Sequence, residues 1–396
     1  MKYNFDEVIN RDNTNSVKWN FNKDLFGCED VIPMWVADMD FKTVPEVTEA
    51  IVKRASHGIY GYSERTDDYF DAVISWMKKR HDLDIKKEWI LSTSGIVPAI
   101  NFIIKTFTNK GDKILVQSPV YYPFYNAIKN NECEIVYNAL KFDNEKYTMD
   151  FEDLEQKAKD SKVKIMILCN PHNPVGRVWS KDELFRLGKI CAENDVLVIS
   201  DEIHSDLIYK EFKHTSFAAV SEDFRKNSII CTAPSKTFNL AGLQVSNLII
   251  FNKDLRDRLE TFMSKLEINK LNLFAIIACE AAYKYGEQWL DELIEYLGEN
   301  KNFLKNFIKK RIPKLKVIEA EGTYLVWIDC RKLNMNKEQL KEFMISKAGI
   351  AFDEGFIFGP GGEGFERINI ACPRSTLEKA LERMEQAINN LKSSDS

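Results

Sequence analysis

Five short apolar runs, each closed at once by a polar or turn-forming residue, constrain this chain more than any other feature. KILVQ (113–117) ends at Ser118-Pro119, KIMILC (164–169) at Asn170-Pro171, and VLVIS (196–200) at Asp201. SIICT (228–232) runs into Ala233-Pro234, and SNLIIF (246–251) is the fifth. Continuous apolar runs of this length, without polar alternation, are strands buried on both faces. The stretches between them read as helices. Thr43-Val-Pro-Glu46 has the form of a capping box opening a helix through Val47, Ala50, Ile51 and Arg54, with Gly58 past its end. Ser180-Lys-Asp-Glu183 is a second, followed by Leu184, Leu187, Ile190 and Cys191 on one face. Ser94-Gly-Ile-Val-Pro98 leads into another helix, AINFIIKTF. Strands alternating with helices predict an α/β fold, with a parallel or mixed sheet between helical layers.

The pattern changes near residue 286. A long charged helical region, including ENKNFLKNFIKKRIPKLK (299–316), precedes TYLVWID (323–329), a helix at 336–348, a glycine-rich loop (355–365) and RINIAC (367–372). Ser375-Thr-Leu-Glu378 reads as the cap of a C-terminal helix, and KSSDS (392–396) as a frayed tail. We expect a large α/β domain over 45–285 and a smaller α+β domain formed by 1–44 with 286–396. A length of 396 residues accommodates both cores. The lysines of 299–316 interleave with Leu304, Phe307, Ile308 and Ile312 at helical spacing, which marks a solvated helix face. With a net charge of -5, composition gives no reason to expect nucleic acid or an anionic membrane as partner. Eight cysteines without a CxxC pair, and an N-terminus without a signal-like apolar segment, lead us to expect a reducing, cytoplasmic setting. No apolar run reaches the ~18 residues of a membrane span. The five histidines show no ligand spacing with the cysteines, so no metal is expected.

In open α/β sheets ligands bind outside the carboxyl ends of the strands. The residues there are Tyr121, Asn173, Asp201 with His204, and Ser235 with Lys236. Together they have the chemistry that pyridoxal phosphate requires. A buried lysine amine forms a Schiff base. A carboxylate keeps the pyridine nitrogen protonated, so that the ring accepts electrons from a substrate Cα. An amide donates to the ring's phenolate oxygen, an aromatic stacks on the ring, and N–H groups at a helix start bind phosphate. Ser94-Gly95-Ile96 supplies the last.

In order along the chain, NPHNPVGRVW, VISDEIHSDL and PSKTFNLAGLQ resemble the fold-type I pyridoxal-phosphate enzymes of the class I/II aminotransferase superfamily. MWVADMDF (34–41), HGIYGYS (57–63), SPVYYPFY (118–125) and ACPRSTL (371–377) are similar to the cystathionine β-lyase branch, the C–S lyases of MalY/PatB type, and the likeness runs nearly end to end. The resemblance implies aminotransferase fold type I. It assigns Lys236 to the Schiff base, Asp201 to the pyridine nitrogen, Asn173 and His204 to the phenolate side, and Tyr121 to stacking; beyond the resemblance, we expect Tyr121 to assist protonation of the leaving group. Gly95 and Ile96 are assigned to the phosphate, and a cis Asn173-Pro174 bond is implied. It also implies a homodimer in which Tyr62 crosses to the neighbour's phosphate. Arg374 would grip the substrate α-carboxylate, with the Ala37 N–H beside it.

The chain departs from the aminotransferase pattern at two positions. Ala233 stands where many members carry serine, and Gln244 where they carry a phosphate-binding arginine; Ser235 and Thr232 are candidates to compensate. A transaminase releases its cofactor from the lysine in mid-cycle, and must then hold it by noncovalent contacts alone. Loss of a charge-assisted contact, about 1.5–3 kcal/mol, loosens that hold by one to two orders of magnitude. A β-eliminating lyase keeps the cofactor covalently bound. The expected function is therefore α,β-elimination on cystathionine- or cysteine-type substrates, giving a thiol such as homocysteine or hydrogen sulfide, with pyruvate and ammonia. An aminotransferase of aromatic or neutral amino acids is the first alternative, and a non-enzymatic binding or regulatory protein the second.

Overall fold

A computed structural model describes residues 2–143 and 145–394. Its centre is a seven-stranded sheet of Ile90–Thr93 (β1), Lys113–Ser118 (β2), Glu134–Ala139 (β3), Val163–Cys169 (β4), Leu197–Asp201 (β5), Ser228–Thr232 (β6) and Ser246–Ile249 (β7). The spatial order is β1-β7-β6-β5-β4-β2-β3. Only β7 runs antiparallel to its neighbours, so the sheet is mixed.

The apolar runs are continuous because the sheet is covered on both faces. Ile114, Val116, Ile165, Ile167, Leu197 and Ile199 pack on one side with Ile100, Ile103 and Ile104 of the helix Ile96–Phe107. Leu115, Met166, Leu168 and Val198 point to the opposite core, which holds Leu184, Leu187 and Cys191 of the helix Lys181–Glu193. The sequence showed neither β1 nor β3. β3 is an edge strand that pairs with β2 alone in this sheet and is only partly buried, so Glu134 and Asn138 interrupt its apolar run. β1 has only four residues before the helix-opening Ser94.

A second sheet is formed by Lys316–Val317 (β8), Leu325–Asp329 (β9), Asp353–Glu354 (β10) and Phe365–Asn369 (β11), antiparallel in the order β8-β9-β11-β10. The helices Glu287–Arg311 and Arg374–Ser394 pack together beside it. Leu304, Phe307, Ile308 and Ile312 are buried, as their helical spacing requires. The N-terminal segment is stitched to this part of the chain: Ile32–Pro33 pairs with Ile350–Ala351, and the Asp40 N–H donates to the Ala371 carbonyl at 2.9 Å.

Two of the three expected caps change. Ser180 and Glu183 form the reciprocal capping box. The helix expected from Thr43 instead begins at Pro45 after Val44, with no side-chain cap, because the Thr43 hydroxyl donates to the Phe238 carbonyl at 2.7 Å. A proline at the first turn has no N–H to cap. The last helix starts at Arg374, so Ser375 lies inside it. That helix extends through Ser394, into the stretch read as a tail, and Asp395 and Ser396 lie outside the described residues.

Gly286, between the helices Leu273–Tyr285 and Glu287–Arg311, is required by close packing. A Cβ there would lie 2.3 Å from the Phe238 ring and 2.5 Å from the Ala282 carbonyl oxygen. Gly286→Ala is expected to lower stability by about 1–3 kcal/mol, read as a lower urea midpoint with an unchanged slope.

Candidate active site

The carboxyl ends of β2, β4, β5 and β6 open onto one cavity of about 290 Å³. It is lined by nine of the eleven side chains or backbone positions singled out from sequence: all except Tyr62 and Arg374. Register explains the convergence. Cys169, Asp201 and Cys231 lie side by side across β4, β5 and β6, so the turns that follow them share one edge.

Lys236 sits in the single helical turn Pro234–Thr237 just beyond β6. Its Nζ donates to the Ala37 carbonyl at 2.6 Å. Burial lowers its pKa to about 8; the charge of Asp38 opposes this, and that of Arg367 adds to it. Asp201 ends β5 and is buried. Its Oδ1 accepts the Ile203 N–H at 3.1 Å. Burial raises its pKa to about 7; the Glu202 charge adds to that, while Ile203 and Lys236 pull the other way. A protonated ring nitrogen set against this carboxylate would restore its ionised form, because an adjacent cation favours the anion.

Asn173 accepts Nη1 of Arg367 on its Oδ1 at 3.0 Å, and its backbone carbonyl accepts the Tyr121 N–H at 3.1 Å. The Asn173-Pro174 bond is cis, as are Ser118-Pro119 and Asn170-Pro171. Tyr121 meets Phe124 edge-on, and burial raises its phenol pKa. Burial, with the charges of Lys236 and Arg367, lowers His204 to about 3, so its ring is neutral. Gly95, at φ 144°, precedes the helix Ile96–Phe107, whose N-terminus carries no side-chain cap. Uncapped first-turn N–H groups are an anion site.

These features fit pyridoxal phosphate. His204 Nδ1 and Arg367 Nε are buried without a protein partner, Asp201 lacks a cation in contact, and an uncapped helix start faces the same cavity. Gln244 lines that cavity too, in left-handed backbone at φ 58°. Thr232 does not: its hydroxyl points to the Asn247 carbonyl at 3.4 Å, which removes it as a phosphate ligand. The Ala37 carbonyl accepts both Lys236 and the Tyr324 hydroxyl, the latter at 3.0 Å.

Arg374 is corrected by the structure. Its Nε donates to Asn300 at 2.7 Å and its guanidinium lies over the Phe303 ring. Both partners belong to the helix Glu287–Arg311, and none lines the cavity. As first residue of the last helix, Arg374 is directed to its helical neighbour. An arginine that does touch a cavity residue is Arg367 on β11, almost wholly buried, which donates to Asn173 and lies beside the Trp35 carbonyl and the Asp353 carboxylate. The signal was present in RINIAC: an arginine inside a buried strand requires a partner. Tyr62 is fully exposed, with Lys270 Nζ 5.8 Å from its ring centroid. Among the described residues no helix is long and apolar enough to cross a membrane, and no group of three or more His, Cys, Asp or Glu is placed to hold a metal.

Comparison with known proteins agrees with this architecture. Residues 29–384 match the family model for aminotransferase class I and II. The chain is 43% identical to cystathionine beta-lyase PatB of Bacillus subtilis, over 97% of its length and all of that protein. It is 32% identical to protein MalY of Escherichia coli, over 98% of its length and 99% of that protein. The crystal structure of cystalysin from Treponema denticola, which contains a pyridoxal 5'-phosphate cofactor, superposes with a TM-score of 0.96 at 43% identity, covering 99% of this chain and 100% of that one. The chain belongs to the class I and II aminotransferase family, in the branch that holds PatB and MalY.

Proposed function

We propose that the protein is a pyridoxal-phosphate-dependent carbon–sulfur β-lyase. The observation that carries this reading is one cavity that joins a partly buried lysine of lowered pKa, a buried carboxylate and an uncapped helix start, with Gln244 where a phosphate-binding cation would stand. The names of PatB and of cystalysin's cofactor support the same reading. The net reaction is R–S–CH₂–CH(NH₃⁺)–COO⁻ plus water giving R–SH, pyruvate and ammonium.

The roles follow from position. Lys236 would anchor the cofactor and, as the free amine, would take the Cα proton on Nζ. Asp201 would keep the ring nitrogen protonated, with Asn173 and His204 toward the phenolate oxygen. Gly95, Ile96 and Ser235 would hold the phosphate, and Tyr121 would pack on the ring and give a proton to the leaving sulfur. Arg367 pairs with the substrate carboxylate through its planar fork, and the Ala37 N–H lies beside it. Bound here, pyridoxal phosphate supplies the electron sink for the pair left at Cα.

Tyr62 acts across a homodimer interface; its full exposure, together with that of Ile59 and Tyr60, supports this. Eight cysteines without a disulfide fit a reducing, cytoplasmic setting. The thiol released from cysteine is hydrogen sulfide, and from cystathionine homocysteine.

A panel of cystathionine, cysteine, cystine and S-alkyl cysteines, assayed for pyruvate and ammonia, tests the reading. Equal amounts of the two products from at least one substrate are expected. Absence of pyruvate from every member contradicts it.

A further inference from the structure

Segment 35–40 passes directly over Lys236, and it is held there twice. The first set of ties is neutral. Asn369 Nδ2 donates to the Val36 and Asp38 carbonyls at 2.7 and 2.6 Å, and the Asn239 side chain accepts the Met39 N–H at 3.0 Å and donates to the Met39 carbonyl at 2.9 Å. The second set is charged. Arg11 gives Nη2 to Asp38 at 2.9 Å and Nη1 to Asp40 at 2.7 Å. Lys18, 1% exposed, gives Nζ to Asp40 at 2.7 Å and lies 3.5 Å from Asp38. Burying charge is costly, and the neutral ties already fix the backbone. The charges therefore call for a further role.

We propose that Asp38 is a positioning residue that acts through Lys236: its carboxylate, fixed by Arg11 and Lys18, sets how firmly the lysine holds its proton at the Ala37 carbonyl. The inference rests on the reading of Lys236 as the group that takes the Cα proton. The other charges facing Lys236 are Arg367 from β11 and Asp201 from β5, with neutral His204 and the Tyr324 phenol beside them. Cys372 faces the Lys18–Asp40 pair, and burial keeps it a thiol. Asp38 directly follows Ala37, whose carbonyl accepts Lys236 Nζ, and its negative charge favours retention of the proton.

The cluster has two cations and two carboxylates, so its net charge can be changed in either direction. Asp38→Asn leaves an extra positive charge near Lys236, and the lysine loses its proton at lower pH. Arg11→Gln leaves an extra negative charge, and the lysine keeps its proton to higher pH. Two readouts follow this. One is the acidic limb of the kcat–pH profile of the holoenzyme with cystathionine. The other is the pH midpoint for trinitrobenzenesulfonate labelling of Lys236 in the full chain stripped of cofactor, read on the Lys236 peptide.

Asp38→Asn is expected to lower both midpoints by about one pH unit and Arg11→Gln to raise them, because an opposite charge at close range shifts a titration by about 1–3 units before neighbouring ions offset it. Asp38→Glu is expected to restore the wild-type midpoint. A purely structural role would move both variants in one direction or leave the midpoints fixed, and either result overturns the proposal. If no pyruvate forms, the lyase reading fails, while the labelling midpoints still decide this proposal.

Discussion

Lys236→Ala is expected to abolish the visible absorbance of lysine-linked cofactor and to lower pyruvate formation from cystathionine by about 10⁴-fold or more. Positioned proton transfer alone contributes about 10²–10⁴-fold, and this lysine is also the proposed covalent anchor. Nothing else in the cavity replaces it. His204 is neutral and stays so down to about pH 3, Tyr121 holds its proton far into the alkaline range, and Asp201 is the residue proposed to face the ring nitrogen. At neutral pH a lysine with a pKa near 8 already has a neutral fraction of roughly a tenth. The substituted chain should keep its fold, since the lysine's one hydrogen-bond partner, the Ala37 carbonyl, still accepts Tyr324. Retention of the absorbance band, or of activity within tenfold, would remove Lys236 from the mechanism.

The second large effect separates two arginines seven positions apart. Arg367→Lys is expected to lower kcat/KM for cystathionine by about 10–10²-fold, mostly through KM, because a charge-assisted pair to a carboxylate contributes about 1.5–3 kcal/mol and a point charge does not reproduce the planar fork. Arg367→Ala should do at least as much, and should also destabilise the fold by leaving the Asp353 carboxylate buried without its partner. Arg374→Ala is expected to change kcat/KM by less than about threefold and to act on stability instead, by removing its contacts to Asn300 and Phe303. Steady-state kinetics on the three variants decides the assignment: a large KM effect confined to Arg374→Ala would return the carboxylate-binding role to that residue.

The contrast shows which features were legible in the sequence. Strand ends were legible because a run such as KIMILC can be continuously apolar only when both faces are covered, and the sheet then brings the residues after Cys169, Asp201 and Thr232 to one edge. Lys236, Asp201 and Asn173 are assigned from that edge. Arg367 was not, because its role depends on which face of β11 turns toward Asn173, a matter of register between β10, β11 and the N-terminal segment. Motif resemblance pointed instead to Arg374, which lies one turn of chain beyond the strand, in a helix with its own partner.

β3 was missed for a comparable reason: an edge strand needs only one apolar face, so its pattern is weaker. The Thr43 capping box matched in letters and failed in space, because Pro45 left the first turn without a donor there and Phe238 offered the hydroxyl an acceptor. The Arg11–Lys18–Asp38–Asp40 cluster joins residues up to 29 positions apart. No local pattern connects them.

Elimination of a β-substituent and exchange of an amino group are told apart by the form of the cofactor after many turnovers of cystathionine with no keto acid added. For a β-lyase, nearly all of it is expected to be recovered as pyridoxal phosphate, with pyruvate, ammonia and homocysteine accumulating in equal amounts well beyond the enzyme concentration. Recovery of one equivalent of pyridoxamine phosphate per active site, with turnover halted until a keto acid is supplied, would contradict the β-lyase reading and establish transamination.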